Sequence, residues 1–192
     1  MRIVAALACA LLIHVSSAAA QDATAERDPQ LAPMDAHYAR IAQAYVEEDA
    51  GMVLAYRTPD FYVETPSGDQ LDYQSTMQLL LDMFEQSEDI EAWTEVQCAS
   101  MANDTEAEFV VIQHLGRTVD LADEPTRLQN ATTQTETWRL TPEGWRLASI
   151  SNIVRARTWI DGVEGDGYTS PAAASTCTAA PAPAQGANAA TE

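Results

Sequence analysis

The chain changes its period near the middle. Up to Ser87 the apolar residues recur at helical spacing, and beyond it they alternate with polar ones. Tyr38, Ile41, Ala42, Tyr45 and Val46 fall at i, i+3, i+4, i+7 and i+8, the stripe of an amphipathic helix. Asp49 fits the N-cap of a short second helix through Arg57, which Thr58-Pro59-Asp60 ends. Residues 61–65 read as a short strand, closed by the turn Pro66-Ser67-Gly68-Asp69. In the third helix Tyr73, Met77, Leu80, Leu81 and Phe84 line one face, and Ser75 with Gln78 makes a capping-box pattern. Residues 90–101, 105–115, 131–140 and 145–154 then alternate as strands, with turns at Asn103-Asp104 and Thr141-Pro142-Glu143-Gly144. Helices first and antiparallel strands after them predict an α+β fold, with the helices packed on one face of a sheet.

The flanks read differently. Residues 1–20 have a basic start at Arg2, an apolar run and small residues before Gln21, the pattern of a cleaved export signal. The run is too short to span a bilayer. Residues 21–33 are polar and acidic and read as a flexible lead-in. The body is residues 34–168, and 169–192 form an Ala/Pro/Thr-rich tail with no apolar period. The expected location is therefore periplasmic or extracellular, with no membrane span after cleavage.

Charge and composition narrow the chemistry. The 192 residues carry 29 Asp+Glu against 10 Lys+Arg, a net charge of −19. Such a chain has no basic stripe for nucleic acid. It contains no Lys, which excludes a P-loop lysine and a Schiff-base lysine. There is no Gly-x-Ser-x-Gly and no Gly-rich phosphate loop, and His37 and His114 are not at ligand spacing. No metal or cofactor is expected. With Cys9 inside the signal, Cys98 and Cys177 would meet an oxidising compartment, either as a disulfide or as two thiols.

Three stretches carry a family resemblance: the helix pair of residues 41–56, the segment Asp60-Phe-Tyr-Val-Glu-Thr-Pro-Ser-Gly68, and the hairpin Thr137-Trp-Arg-Leu-Thr-Pro-Glu-Gly-Trp-Arg-Leu147. In this order they resemble the nuclear transport factor 2-like superfamily, which includes ketosteroid isomerase and the SnoaL-like cyclases. The resemblance implies a cone: a curved antiparallel sheet with three N-terminal helices packed on its concave face. It places Thr65 where ketosteroid isomerase has its general base, and Thr65 cannot take a proton at neutral pH. The oxyanion-hole tyrosine maps to Ile41, with Tyr38 and Tyr45 one turn to either side. The partner acid maps to Glu136, two residues before Trp138. The histidine that often ends the last strand is replaced by Ser149-Ile150-Ser151.

If Thr65 faces the interior of the cone, strand alternation puts Val63 and Phe61 there too, under a lid of Tyr38, Ile41 and Tyr45. These six form the expected ligand pocket, or else ordinary helix–sheet core. Glu136 is either a pocket carboxylate with a raised pKa or an exposed acid on the outer face. His114 is either a base paired with an acid such as Glu136 or a structural histidine. Three functions follow. One is an exported binding protein for a small, mostly apolar molecule. Another is a lyase, isomerase or cyclase using Glu136, His114 or a helix tyrosine, at least two of which must converge within hydrogen-bond reach. The third is a homodimeric envelope module associating through outer-face residues such as Tyr62, Trp93 and Trp138.

Overall fold

The computed structural model describes residues 29–170. The expected export signal, most of the lead-in and nearly all of the tail, including Cys177, lie outside the described residues. The chain opens with a 3-10 turn, Pro29–Leu31, and three helices: α1 (Met34–Val46), α2 (Ala50–Ala55) and α3 (Tyr73–Glu85). Between α2 and α3 come β1 (Arg57–Glu64) and β2 (Gln70–Asp72). Four long strands follow: β3 (Glu88–Asn103), β4 (Glu106–Leu121), β5 (Glu124–Thr141) and β6 (Gly144–Ile160). Two short ones, β7 (Val163–Glu164) and β8 (Tyr168–Thr169), both pair with β6.

The sheet runs β2-β1-β6-β5-β4-β3. The expected antiparallel sheet holds for β3 to β6, but β1 pairs parallel to β6, so the sheet is mixed. Register shifts interrupt β3–β4, β5–β6 and β1–β6. Such breaks bend strands and increase their twist, which curls a long sheet into a cone. The edge strand β3 carries three of them.

Caps fix where the helices start. Asp49 caps α2 by accepting from the Met52 amide at 2.9 Å, as its position predicts. Asp72, not Ser75, caps α3, accepting from the Ser75 amide at 2.8 Å. A carboxylate three residues ahead of an amide reaches it directly, and this displaces the capping box expected at Ser75.

Two apolar clusters hold the layers together. The larger joins Leu31, Met34 and Tyr38 to Phe61, Phe109, Val111, Trp138 and Leu147 of the sheet. Leu31 and Met34 are fully buried, so the packed body includes Leu31, three residues ahead of Met34. Burying a large apolar side chain contributes about 1.5–3 kcal/mol, enough to anchor a short segment. The smaller cluster, Ala44, Val53, Leu80, Phe84 and Ile90, joins all three helices to the start of β3. Among the described residues no helix is long and apolar enough to cross a membrane.

The acidic stretch Asp120-Leu-Ala-Asp-Glu-Pro is the end of a hairpin. β4 and β5 pair up to Leu121–Glu124, leaving Ala122 and Asp123 as a two-residue turn. Both have positive φ, 52° and 65°. That geometry suits Asn-Gly and costs an L-residue such as Ala about 1–2 kcal/mol. Replacing Ala122-Asp123 with Asn-Gly should therefore stabilise the protein by about 1 kcal/mol, read as a higher urea midpoint at unchanged slope. An unchanged or lower midpoint would contradict this account of the turn.

Candidate functional site

A carboxylate lies buried on the concave face of the sheet. Glu136 pairs with Phe109 on β4 and with Ile150 on β6, and is 5% exposed. Its neighbours on the same face of β5, Gln134 and Trp138, both donate to it. Gln134 Nε2 is 3.0 Å from Oε1, and Trp138 Nε1 is 3.1 Å from Oε2. The helical stripe of α1 brings a third donor: the Tyr38 hydroxyl donates to Glu136 Oε2 at 2.7 Å. The same hydroxyl oxygen accepts from Trp138 Nε1 at 3.1 Å. The Tyr38 ring stands edge-on to Phe109 and Trp138, with centroids 5.9 and 5.5 Å away.

Burial pushes the Glu136 carboxyl above its ordinary range, because a charge there is removed from water. Hydrogen bonds from Tyr38, Gln134 and Trp138 oppose that rise, and so does the positive charge of Arg57.

Glu136 lines a cavity of about 50 Å³ between α1, the α2–β1 junction and the sheet. Tyr38, Ile41 and Tyr45 of α1 form one wall. Tyr56 and Arg57 line it from the chain that enters β1, and Thr94 and Gln113 from β3 and β4. An open cleft of about 420 Å³ between α1 and β3 shares Tyr38 and Thr94 with this cavity.

No protein-family model and no curated protein matches the chain. Solved structures do. A type 2 hexachlorocyclohexane dehydrochlorinase, LinA, is 7% identical with a TM-score of 0.54, over 75% of this chain and 95% of that one. The protein Kfla4162 from Kribbella flavida is 12% identical with a TM-score of 0.53, over 71% and 95%. A nuclear transport factor 2-like family protein from Streptomyces avermitilis is 15% identical with a TM-score of 0.50, over 64% and 95%. The chain has the nuclear transport factor 2-like fold.

Within that fold the expected pocket is partly assembled. Tyr38, Ile41 and Tyr45 line the cavity as the helical stripe implies, and Glu136 faces it rather than the outer surface. Phe61 points inward but is core, 1% exposed, and Val63 packs half-buried against the same cluster. Thr65 does not enter the cone. Its hydroxyl is 2.8 Å from Ser67 Oγ and accepts from the Asp69 amide at 3.2 Å, inside the turn that follows β1.

His114 does not meet Glu136. Glu136 pairs with Phe109 and Ala131 with His114, so the two side chains sit on opposite faces of the sheet. His114 stacks on Trp93, with ring centroids 4.5 Å apart. Its Nε2 is 3.4 Å from Glu95 Oε1 without making a hydrogen bond. Trp138, expected on the outer face, is fully buried on the inner one. Cys98 is disulfide-bonded, and its expected partner Cys177 lies outside the described residues.

Sequence reasoning missed Arg57, Tyr56, Thr94 and Gln113. The helical reading ends α2 on Arg57, whereas the chain is already extended there.

The raised pKa of Glu136 has a sign that can be measured. Its ordinary value is 4.5. Above that pH the unfolded chain loses this proton while the folded protein keeps it, so folding stability falls as pH rises until the folded group also ionises. Glu136→Gln removes this contribution. The wild-type stability minus that of the variant should decline as pH is raised from 4.5, measured by urea unfolding. A difference independent of pH would show that the carboxyl is not raised. Tyr38→Phe should cost about 1–3 kcal/mol in the same assay, since it removes one donor to a buried carboxyl.

Proposed function

We propose that this protein is an exported binding protein for a small molecule held in the cavity between α1 and the concave sheet. The observation that carries the reading is Glu136: a carboxyl with three donors on its two oxygens, yet still lining a cavity. Apolar walls with a few oriented polar groups are the usual make-up of a ligand site. The cavity is far smaller than the roughly 300–1,000 Å³ of a drug-sized site, so it suits a small ligand or one end of a longer one. The adjoining cleft at Tyr38 and Thr94 offers room for the remainder.

A second reading, a lyase, isomerase or cyclase, keeps Glu136 and the Tyr38 hydroxyl 2.7 Å away as its acid–base pair, without Thr65, which lies in the turn, or His114, which lies on the other face. Export rests on the signal-like residues 1–20 and is supported by the disulfide at Cys98, since such bonds persist in oxidising compartments.

Native mass spectrometry of the protein purified gently from its own host tests this. The wild type should carry a reproducible adduct that is lost on denaturation. Ile41→Trp, which fills the cavity, should fold and carry none. An adduct retained in Ile41→Trp would place the ligand elsewhere, and a wild type with no adduct in any preparation would count against the binding reading.

A further inference from the structure

Arg57 brings an unmatched donor to the cavity. Its backbone pairs with Leu147 on β6, and its side chain lines the cavity together with Glu136. The guanidinium lies 4.5 Å over the ring of Phe61, a core residue that fixes its position. Its Nη1 is buried and has no hydrogen-bond partner among the described residues. Three other arginines are matched. Arg127 lies 2.7 Å from Glu91, Arg139 3.0 Å from Asp60, and Arg157 2.7 Å from Glu164. In a chain with 29 acids, acceptors are not scarce, yet no described residue supplies one to this nitrogen. Glu136 is near enough to feel its charge, but the hydrogen bonds it accepts come from Tyr38, Gln134 and Trp138.

We propose that the cavity binds the carboxylate of a small monoanionic organic acid, with the Arg57 guanidinium as the charged donor. This rests on the small-molecule reading above and gives the ligand its chemical class. A guanidinium is a planar donor fork that matches a carboxylate, and a buried charged donor without an acceptor is costly until a ligand provides one. Size agrees with an acid head. One water needs roughly 10–15 Å³ of such space, so about 50 Å³ takes a carboxylate and the first one or two carbons behind it. Ile41, Leu147 and Ile150 line the same space and suit those carbons. A lone arginine in the cavity wall of a protein of net charge −19 suits one negative charge and disfavours a polyanion.

The test uses the full, oxidised chain. Acetate, propionate and butyrate are titrated at constant ionic strength against acetamide, propionamide and butyramide. The Trp138 indole N–H is followed by NMR, assigned through Trp138→Phe. The carboxylates should shift that signal and bind about tenfold or more tighter than their amides, the effect of one charge-assisted hydrogen bond. Arg57→Gln should abolish the preference, and Arg57→Lys should keep most of it. If the amides bind as well as the carboxylates, or if Arg57→Gln binds carboxylates as tightly as the wild type, the inference is overturned while a small-molecule pocket stands. If neither series binds, the inference is overturned as well. The host adduct then decides the pocket separately, since a neutral adduct would retain the pocket without the acid. Should Arg57→Gln fail to fold, the wild-type comparison of acid with amide and the Arg57→Lys variant still decide the matter.

Discussion

A buried carboxyl joins the helical layer to the sheet. Tyr38 and Glu136 are 98 residues apart in sequence and 2.7 Å apart at their oxygens. Apolar contact alone would let α1 slide or rotate over the concave face, because hydrophobic burial is not directional. The hydrogen bond fixes both its register and its rotation. Trp138 makes the arrangement mutual. A fully buried indole N–H must find an acceptor, and Glu136 and Tyr38 supply it. Removing any one of the three strands the others, so the group behaves as a unit.

The irregularities of the sheet place this unit. Register shifts in the β5–β6 pairing fall between Thr133 and Thr135 and again between Thr137 and Trp138, on either side of Glu136. Asn152, opposite the first, has a φ of 48°. The strands therefore bend where the carboxyl is held, and the concave face closes around it. The β1–β6 pairing shifts too, between Arg57, which lines the cavity, and Tyr62. The site sits beside the breaks in its supporting pairings.

Much of this is legible in the chain. The stripe on α1 correctly turns Tyr38, Ile41 and Tyr45 toward the sheet, and the change of period at Ser87 separates helices from strands. The phase of β5 puts Glu136 with Gln134 and Trp138 on one face, but leaves open which face that is. Period alone cannot settle this, because an alternating strand has two faces and only packing decides which is buried. His114 escapes the sequence for the same reason: its cross-strand partner is Ala131, which only the register reveals. Thr65 goes to turn chemistry, in which a hydroxyl prefers a nearby amide to a distant cavity. The Ala122-Asp123 hairpin lacks the Gly or Asn that usually announces one, so β4 and β5 run longer than their pattern suggests.

The sheet also has an open side. Among the described residues β3 is its long edge, with one flank unpaired. A flat edge of that length is a template on which other chains can grow. Here the strand begins with Glu88, Asp89 and Glu91 and continues through Glu95, and its three register breaks keep it from lying flat. A second edge approaching it would meet a row of like charges and a broken ladder of amides. The acidity that first appears as a bulk property thus has a local use: it guards the long border along which this protein could polymerise.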